Sequence, residues 1–261
     1  MSTNPTQTDS AATPAQFQAG TIREWYPLDD ELYSLKGKEL AFMQAQTAIE
    51  DEQELKQHIV SVTREAYAVF PFPCIRRFNH LNGSAEYWAL GHKLFRSTPA
   101  SFPASFIAGD AFNSEHLAVV PPLYETTSEL APDLSALTSL KPLHGHVAAI
   151  HASSFFHLFD EEKQVHIAQA LGGLLSPLPG SIILGSHAAG HEKGSQVHKV
   201  GPDGGNGSFT FFFHSPESWT ELWDGQVFKK GTVKVETRLV EYAAGPSGEM
   251  VYFLQWCVTR L

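Results

Sequence analysis

The chain has 261 residues and a formal net charge of -10 at pH 7. That length is enough to bury the core of one ordinary α/β domain. The acidic balance argues against a nucleic-acid backbone as partner, because such partners require clustered lysine and arginine. The only cysteines, Cys74 and Cys257, support neither a disulfide framework nor a cysteine metal site. The sequence shows neither a membrane-length apolar run nor a signal-peptide profile, so we expect a cytoplasmic protein.

The amino-terminal segment differs in composition from the rest of the chain. Residues 1–20 are Ser, Thr, Pro, Gln and Ala with almost no large apolar side chain, so we expect a disordered tail. Residues 21–261 are predicted to form a single α/β domain. Within it, residues 55–84 contain a helix with apolar residues at four- and three-residue steps, followed by a short linker. Residues 85–261 are predicted to form the core.

A second predicted helix and a brief strand come next along the chain. Residues 85–95 favour a helix, and residues 105–108 favour a brief strand that runs directly into Gly109-Asp110-Ala111-Phe112. Residues 119–142 are rich in Pro, Ser and Thr and predict a long loop with one short helix near residues 134–140.

The middle of the chain has the pattern of a βαβ unit. Two short apolar runs, residues 147–151 and 181–185, fit strands that are covered on both faces, as in a parallel sheet. Between them, apolar residues recur at helical spacing: Phe155, Leu158, Val165, Ala168, Leu171 and Leu175. Ligands of such sheets bind beyond the carboxyl ends of the strands, here near residues 151–154 and 186–187.

The carboxyl-terminal third predicts a loop, a helix and a hairpin. Residues 187–207 are rich in Gly and His and are expected to be flexible. Ser215 followed by Pro216 predicts a helix start. Residues 231–242 and 250–261 predict two strands joined by a hairpin at Gly245-Pro246-Ser247-Gly248.

Three strings of this chain carry a family resemblance. They are Phe72-Pro73-Cys74-Ile75, Glu86-Tyr87-Trp88-Ala89-Leu90-Gly91-His92-Lys93-Leu94-Phe95-Arg96 and Leu222-Trp223-Asp224-Gly225. Together with the order of elements, these strings resemble the S-adenosylmethionine-dependent methyltransferases of fungal secondary metabolism, in particular the austinol-type meroterpenoid group. The resemblance implies a class I, Rossmann-like methyltransferase sheet with helices on both faces and an antiparallel carboxyl-terminal hairpin.

The resemblance also implies a cofactor and site residues. The cofactor is S-adenosylmethionine, with Asp110 and Ala111 at its adenine and Phe112 beside that ring. Ser153 falls on the loop where cofactor and substrate meet, and His151 is the candidate general base. The acceptor is expected to be a small terpenoid or polyketide, for which the aromatic segments at residues 25–33 and 119–124 suggest an apolar surface.

One part of the family pattern is missing. The family has a strand, a glycine-rich turn, a helix and a second strand between the first two of these strings. This chain has only residues 76–85 there. A βαβ unit needs roughly 30 residues, so that unit cannot be present and the sheet is truncated by its first two strands. The strand at residues 105–108 then pairs with the fourth strand, or another chain covers it as in a homo-oligomer, or the unit was lost from the gene model.

Two functions from different classes remain open. The first is a methyltransferase, and the second is a non-catalytic relative or a cofactor-free isomerase or cyclase that uses the remaining pocket. The many histidines do not decide between them, because no metal-binding motif accompanies them and buried structural or solvent-facing roles are more common. No metal site is therefore predicted.

Overall fold

The computed structural model describes residues 23, 27–71, 75, 85–126, 129–200, 207–244 and 249–261. The predicted tail at residues 1–20, most of the linker at 72–84 and the turn at 245–248 lie outside these residues. The chain divides into two compact units, Met1–Ala104 with Lys199–Phe209, and Ser105–His198 with Thr210–Leu261. None of the helices that the structure describes combines the length and apolar content of a membrane span.

The first unit is helical. Its described helices are α1 (Gly37–Thr47), α2 (Glu52–Val69) and α3 (Ala85–Leu94). Helix α2 begins where the Asp51 side chain accepts a hydrogen bond from the Glu54 N–H at 2.8 Å. Leu55, Ile59, Val62 and Ala66 of its apolar stripe are buried, as the spacing predicts, whereas Val69 at the end of the helix is exposed. Sequence analysis did not predict α1, which buries only Met43 and Thr47.

The second unit contains a mixed four-stranded sheet. Its strands are β1 (Ala149–His151), β2 (Ile182–Ala189), β5 (Val233–Ala244) and β6 (Glu249–Arg260), in the spatial order β1-β2-β6-β5. Strands β1 and β2 are parallel, and the other pairs are antiparallel. Helix α4 (Glu161–Leu174) connects β1 to β2, which confirms the βαβ unit, and β5 with β6 confirms the carboxyl-terminal pair of strands.

Helices α4 and α5 (Pro216–Trp223) pack against one face of this sheet. The start of α5 is as predicted, because the Ser215 hydroxyl accepts a hydrogen bond from the Ser218 N–H at 3.2 Å. On the opposite face, Lys234, Glu236 and Gln255 are exposed. The shared core consists of Ile167, Ala168, Ile183, Trp219, Leu222, Trp223, Leu254, Trp256 and Val258.

The strand predicted at residues 105–108 does not form. These residues are an irregular segment with Ser105 and Ala108 exposed, and they do not pair with β1. A strand needs a neighbour for its backbone donors and acceptors, and no described strand flanks the outer side of β1. The prediction of a strand, and of its pairing with the next strand of the sheet, was therefore wrong.

The segment predicted to be a flexible loop after residue 186 contains strands. Strand β2 continues to Ala189, and β3 (Gly194–Val200) pairs with β4 (Gly207–Phe213) in a separate two-stranded sheet. We call β3 and β4 the arm. Its glycine and histidine content hid the strands, because strand formation depends more on pairing partners than on local composition.

Candidate active site at the carboxyl ends of the parallel strands

His151 and Ser153 meet where β1 ends. His151 Nε2 lies 2.9 Å from Ser153 Oγ. The same oxygen accepts a hydrogen bond from the backbone N–H of Ser186 on β2 at 3.1 Å. The Ser154 N–H donates to the Ser186 carbonyl at 2.7 Å. The structure therefore joins two predicted site residues to the neighbouring strand in one hydrogen-bonded network.

A close approach between two backbone segments shapes this loop. The Ala152 N–H donates to the Leu184 carbonyl at 2.9 Å, and a Cβ at Gly185 would lie 2.0 Å from the Ala152 oxygen. Only glycine fits there. Ser154 then adopts a left-handed φ of 53°, a conformation that costs free energy in a residue with a side chain and recurs at functional sites.

Asp110 forms a turn without the predicted strand before it. Its Oδ1 accepts a hydrogen bond from the Phe112 N–H at 2.9 Å, and its carbonyl accepts one from the Asn113 N–H at 3.1 Å. The carboxylate is exposed, and no described residue donates to its second oxygen, Oδ2. Local hydrogen bonds therefore suffice to hold this turn.

Packing brings the Asp110 turn toward the end of β1. Ala111 belongs to the same apolar cluster as Ile150, and Phe112 packs against the cluster that contains Ile150 and Ala152. The Phe112 ring lies edge-on to Phe159, with centroids 5.0 Å apart. Asp110 precedes Ala111 in the chain, and His151 lies between Ile150 and Ala152. Both side chains are exposed.

Three histidines near this edge are uncharged at neutral pH: His187 and His214 are buried, and His157 is half-buried. Burial lowers the pKa of His157 and of His214 to about 4, and burial together with His157 and His214 lowers that of His187 well below its ordinary value. The Trp256 Nε1–H donates to His187 Nδ1 at 3.0 Å, so the His187 proton is on Nε2. In the described ranges, no three histidine, cysteine or acidic side chains converge as metal ligands would.

Comparisons with known proteins show a similarity to fungal methyltransferases. Residues 25–81 match the family model for the meroterpenoid methyltransferase N-terminal domain. Over 199 residues the chain is 28% identical to the asnovolin E/chermesin D methyltransferase nvfJ of Aspergillus novofumigatus, which covers 66% of this chain and 69% of that protein. It is 31% identical over 150 residues to the O-methyltransferase phiE of a fungal species, covering 55% of this chain and 48% of that one.

A third relative is the methyltransferase ausD of Penicillium brasilianum, 26% identical over 209 residues that cover 68% of this chain and 72% of that one. The chain is therefore similar to fungal methyltransferases, and its residues 25–81 are similar to a meroterpenoid methyltransferase domain. All three relatives carry methyltransferase names, which does not favour the alternative of a non-catalytic relative.

The fold assignment of this chain rests on its own strand order. A SAM-dependent methyltransferase from Methanosarcina mazei overlaps 45% of this chain and 61% of its own, at 14% identity and a TM-score of 0.34. So small an overlap carries no argument about the fold. Parallel β1 and β2, the helix between them and the antiparallel β5 and β6 form an α/β, Rossmann-like sheet.

The Asp110 turn has the acceptor and the half-buried apolar side chains that the adenine end of S-adenosylmethionine would need. The free Oδ2 of Asp110 is an acceptor for an exocyclic amine, beside the half-buried Ala111 and Phe112. The other end of the cofactor needs a glycine-rich turn and an acid for the ribose hydroxyls. The sequence between residues 76 and 85 has only Gly83 and no acid, and of residues 72–84 only Ile75 is described.

Sequence analysis missed the part of the arm that lies in the second unit, near the site. The Gln164 side chain, on α4, donates hydrogen bonds to the carbonyls of Phe159 and Phe212, both at 2.9 Å. Lys193 forms an ion pair with Glu161 at the start of α4. These contacts hold the end of the arm that is nearest to β2 against α4. The run of aromatic and β-branched residues from Phe209 to Phe213 was the available signal.

The loop at residues 119–124 lies at the other end of the sheet. Its Leu123 carbonyl accepts a hydrogen bond from Arg260, and the Tyr124 hydroxyl accepts one from the Lys229 N–H at 2.7 Å. Arg260 ends β6, opposite the start of β2, where Gly180 donates to its carbonyl. The expectation that this loop offers a substrate surface was therefore wrong. Its apolar residues cover the amino ends of the parallel strands instead.

Proposed function

We propose that this chain transfers a methyl group from S-adenosylmethionine to a nucleophilic oxygen or carbon of a small terpenoid or polyketide. The observation that carries the proposal is the 2.9 Å contact between His151 Nε2 and Ser153 Oγ at the carboxyl ends of β1 and β2. Open α/β sheets bind their ligands at this edge. A base held there can serve the acceptor of a bound cofactor.

Each proposed site residue has a separate role. Asp110 holds the adenine amine through Oδ2, and Ala111 and Phe112 flank the ring from the packed side of the turn. Ser153 lies at the end where the methyl group is transferred. When bound, S-adenosylmethionine supplies an electrophilic methyl carbon. The protein orients the reactants, excludes water and, through His151, removes a proton from the acceptor.

The acceptor class follows from the relatives and from the side chains at this edge. A relative named for asnovolin E and chermesin D and a family model named for meroterpenoids favour a terpenoid acceptor. Phe155 and Phe159 lie with ring centroids 5.2 Å apart, and the Phe211 ring of the arm lies 6.0 Å from that of His157. These aromatic side chains suit an apolar ring system.

Three further expectations accompany this function. We expect the protein to act in the cytoplasm, without nucleic acid as a partner, and a homo-oligomer is compatible with the unpaired side of β1. The acidic net charge supports the second of these, since phosphate backbones require basic surfaces.

The binding test uses Asp110→Asn. Asparagine keeps an oxygen that can accept from the Phe112 N–H, but it replaces the free carboxylate oxygen with an amide NH2. We expect calorimetry to show S-adenosylmethionine or its demethylated product binding about tenfold more weakly to the variant, because a hydrogen bond to a charged group is worth roughly 1.5–3 kcal/mol.

The matched control is Asp133→Asn. Asp133 closes a turn of the same type, with its carboxylate accepting from the Ser135 N–H at 2.9 Å. This control should bind the cofactor as the unmodified chain does. Absence of binding to the unmodified chain at millimolar cofactor would overturn the proposed function, and equal binding by Asp110→Asn would remove Asp110 from the site.

A further inference from the structure

We propose that Ser153 relays the proton of a hydroxyl acceptor to His151. This inference rests on the proposed function and deepens it, because it makes oxygen the methylated atom. It changes the role of Ser153 from a contact of the cofactor to a group that touches the reacting oxygen. The relay is inferred from two distances. Ser153 Oγ lies 2.9 Å from His151 Nε2, and the Ser186 backbone nitrogen lies 3.1 Å from the same oxygen.

The hydrogen-bond capacity of Ser153 determines the direction of the relay. A serine hydroxyl donates one hydrogen bond and accepts two. The Ser186 N–H uses one acceptor position. If the hydroxyl donates to His151 Nε2, one acceptor position remains, and an acceptor hydroxyl can fill it. Every hydrogen-bonding position of Ser153 is then used, and His151 carries its proton on Nδ1.

The proton transfer balances without any further reactant. The O–H bond of the acceptor breaks as its proton moves to Ser153 Oγ, while the original Ser153 proton moves to His151 Nε2. The electron pair stays on the acceptor oxygen, which becomes the nucleophile. Ser153 ends as a neutral hydroxyl and His151 as an imidazolium with a proton on each nitrogen.

The surrounding loop is built to hold this serine in place. Gly185 allows the Ala152 carbonyl to approach β2, and a Cβ there would lie 2.0 Å from that oxygen. Ser154 takes a positive φ of 53° while its N–H donates to the Ser186 carbonyl at 2.7 Å. The loop is thus fixed to β2 on both sides of Ser153, with Ala152 bonded to Leu184. Fixed positions of this kind make proton transfer efficient.

The first test is the tautomer of His151. In a chain labelled with 15N-histidine, His151→Gln identifies the His151 resonances. We expect the proton of His151 on Nδ1 in the unmodified chain and predominantly on Nε2 in Ser153→Ala, which has no hydroxyl to donate. Ser153→Thr keeps the hydroxyl and should keep the Nδ1 tautomer. Ser186→Ala should also keep it, because Ser186 contributes only its backbone.

The second test is turnover with a terpenoid or polyketide alcohol that the unmodified chain methylates. We expect Ser153→Ala to lower kcat about 100-fold with little change in KM, and Ser153→Thr to recover most of the rate. A proton on Nε2 in the unmodified chain, or a full rate in Ser153→Ala, overturns the relay. Absence of cofactor binding and of turnover in the unmodified chain overturns the proposed function instead, whatever the tautomer.

Discussion

The two sides of the four-stranded sheet are built very differently. Strands β5 and β6 pair over twelve residues each, from Val233 opposite Arg260 to Ala244 opposite Glu249, and Leu254, Trp256 and Val258 are buried. Strand β1 has three residues, and Ala149 and His151 are exposed. In the part of the chain that the structure describes, no strand lies on the outer side of β1.

The two parts of the sheet therefore differ in role: β5 and β6 stabilise the fold, and β1 carries the candidate site. The long antiparallel pair buries the large apolar side chains, and burial of apolar surface is the main stabilising contribution in folding. The candidate site lies at the short strand, where the backbone has few partners. Sites that must admit a ligand are commonly found in such less stable regions. If the two sides of the sheet differ as their packing indicates, they should respond differently to core substitutions and to hydrogen exchange.

Acidification should produce the largest loss of stability, because it protonates two histidines that are uncharged in the folded chain. In the folded chain the pKa of His157 and of His214 is about 4, below the ordinary 6.5, so an unfolded chain binds protons that the folded chain does not. Stability should therefore be full above about pH 6.5 and fall as the pH drops toward 4, by up to about 3 kcal/mol for each histidine.

Urea denaturation at pH 7, 5.5 and 4.5 measures this loss. His157→Leu removes one of the titrating groups and should reduce the loss between pH 6.5 and 4. Phe156→Leu is the matched control, since it changes the neighbouring core residue without removing a titrating group and should retain the full loss. A free energy of unfolding that is constant over this range would contradict the burial of the neutral histidines.

Removing one apolar side chain from each side of the sheet gives the direct comparison. Leu254 on β6 is fully buried, whereas Ile150 on β1 is only partly buried. We expect Leu254→Ala to lower the free energy of unfolding by about 4 kcal/mol and Ile150→Ala by about 1–2 kcal/mol, because the cost grows with the cavity that remains. Urea unfolding at neutral pH measures both, and equal costs would show that β1 is covered as well as β6.

Hydrogen exchange gives the smallest and most local test. The Ala148 carbonyl and the Ala152 N–H bond to β2, so the alternate residues Ala149 and His151 direct their N–H groups outward. We expect these two amides to exchange much faster than that of Ile150, and the amides of β6 to exchange only on global unfolding. Slow exchange at Ala149 and His151 would reveal a partner on the outer side of β1.

Local patterns in the sequence were sufficient for part of this molecule. The stripe of α2, the serine before α5 and the apolar runs around α4 each predicted their element, because helix periodicity and caps are properties of neighbouring residues. The Asp110 turn also follows from local chemistry, since its carboxylate bonds to its own backbone two residues on. Family resemblance, in turn, pointed to His151 and Ser153 as residues of one loop.

Tertiary structure decided the remaining features. The strand predicted at residues 105–108 failed, and the arm formed where a loop was expected, because a strand depends on a partner that is distant in sequence. The position of the loop at residues 119–124, at the opposite end of the sheet from His151, depends on contacts with Arg260 and Lys229 that no local pattern contains. By itself the sequence determined which segments form helices, caps and turns, because these depend on neighbouring residues, whereas long-range pairing and packing determined which of them meet.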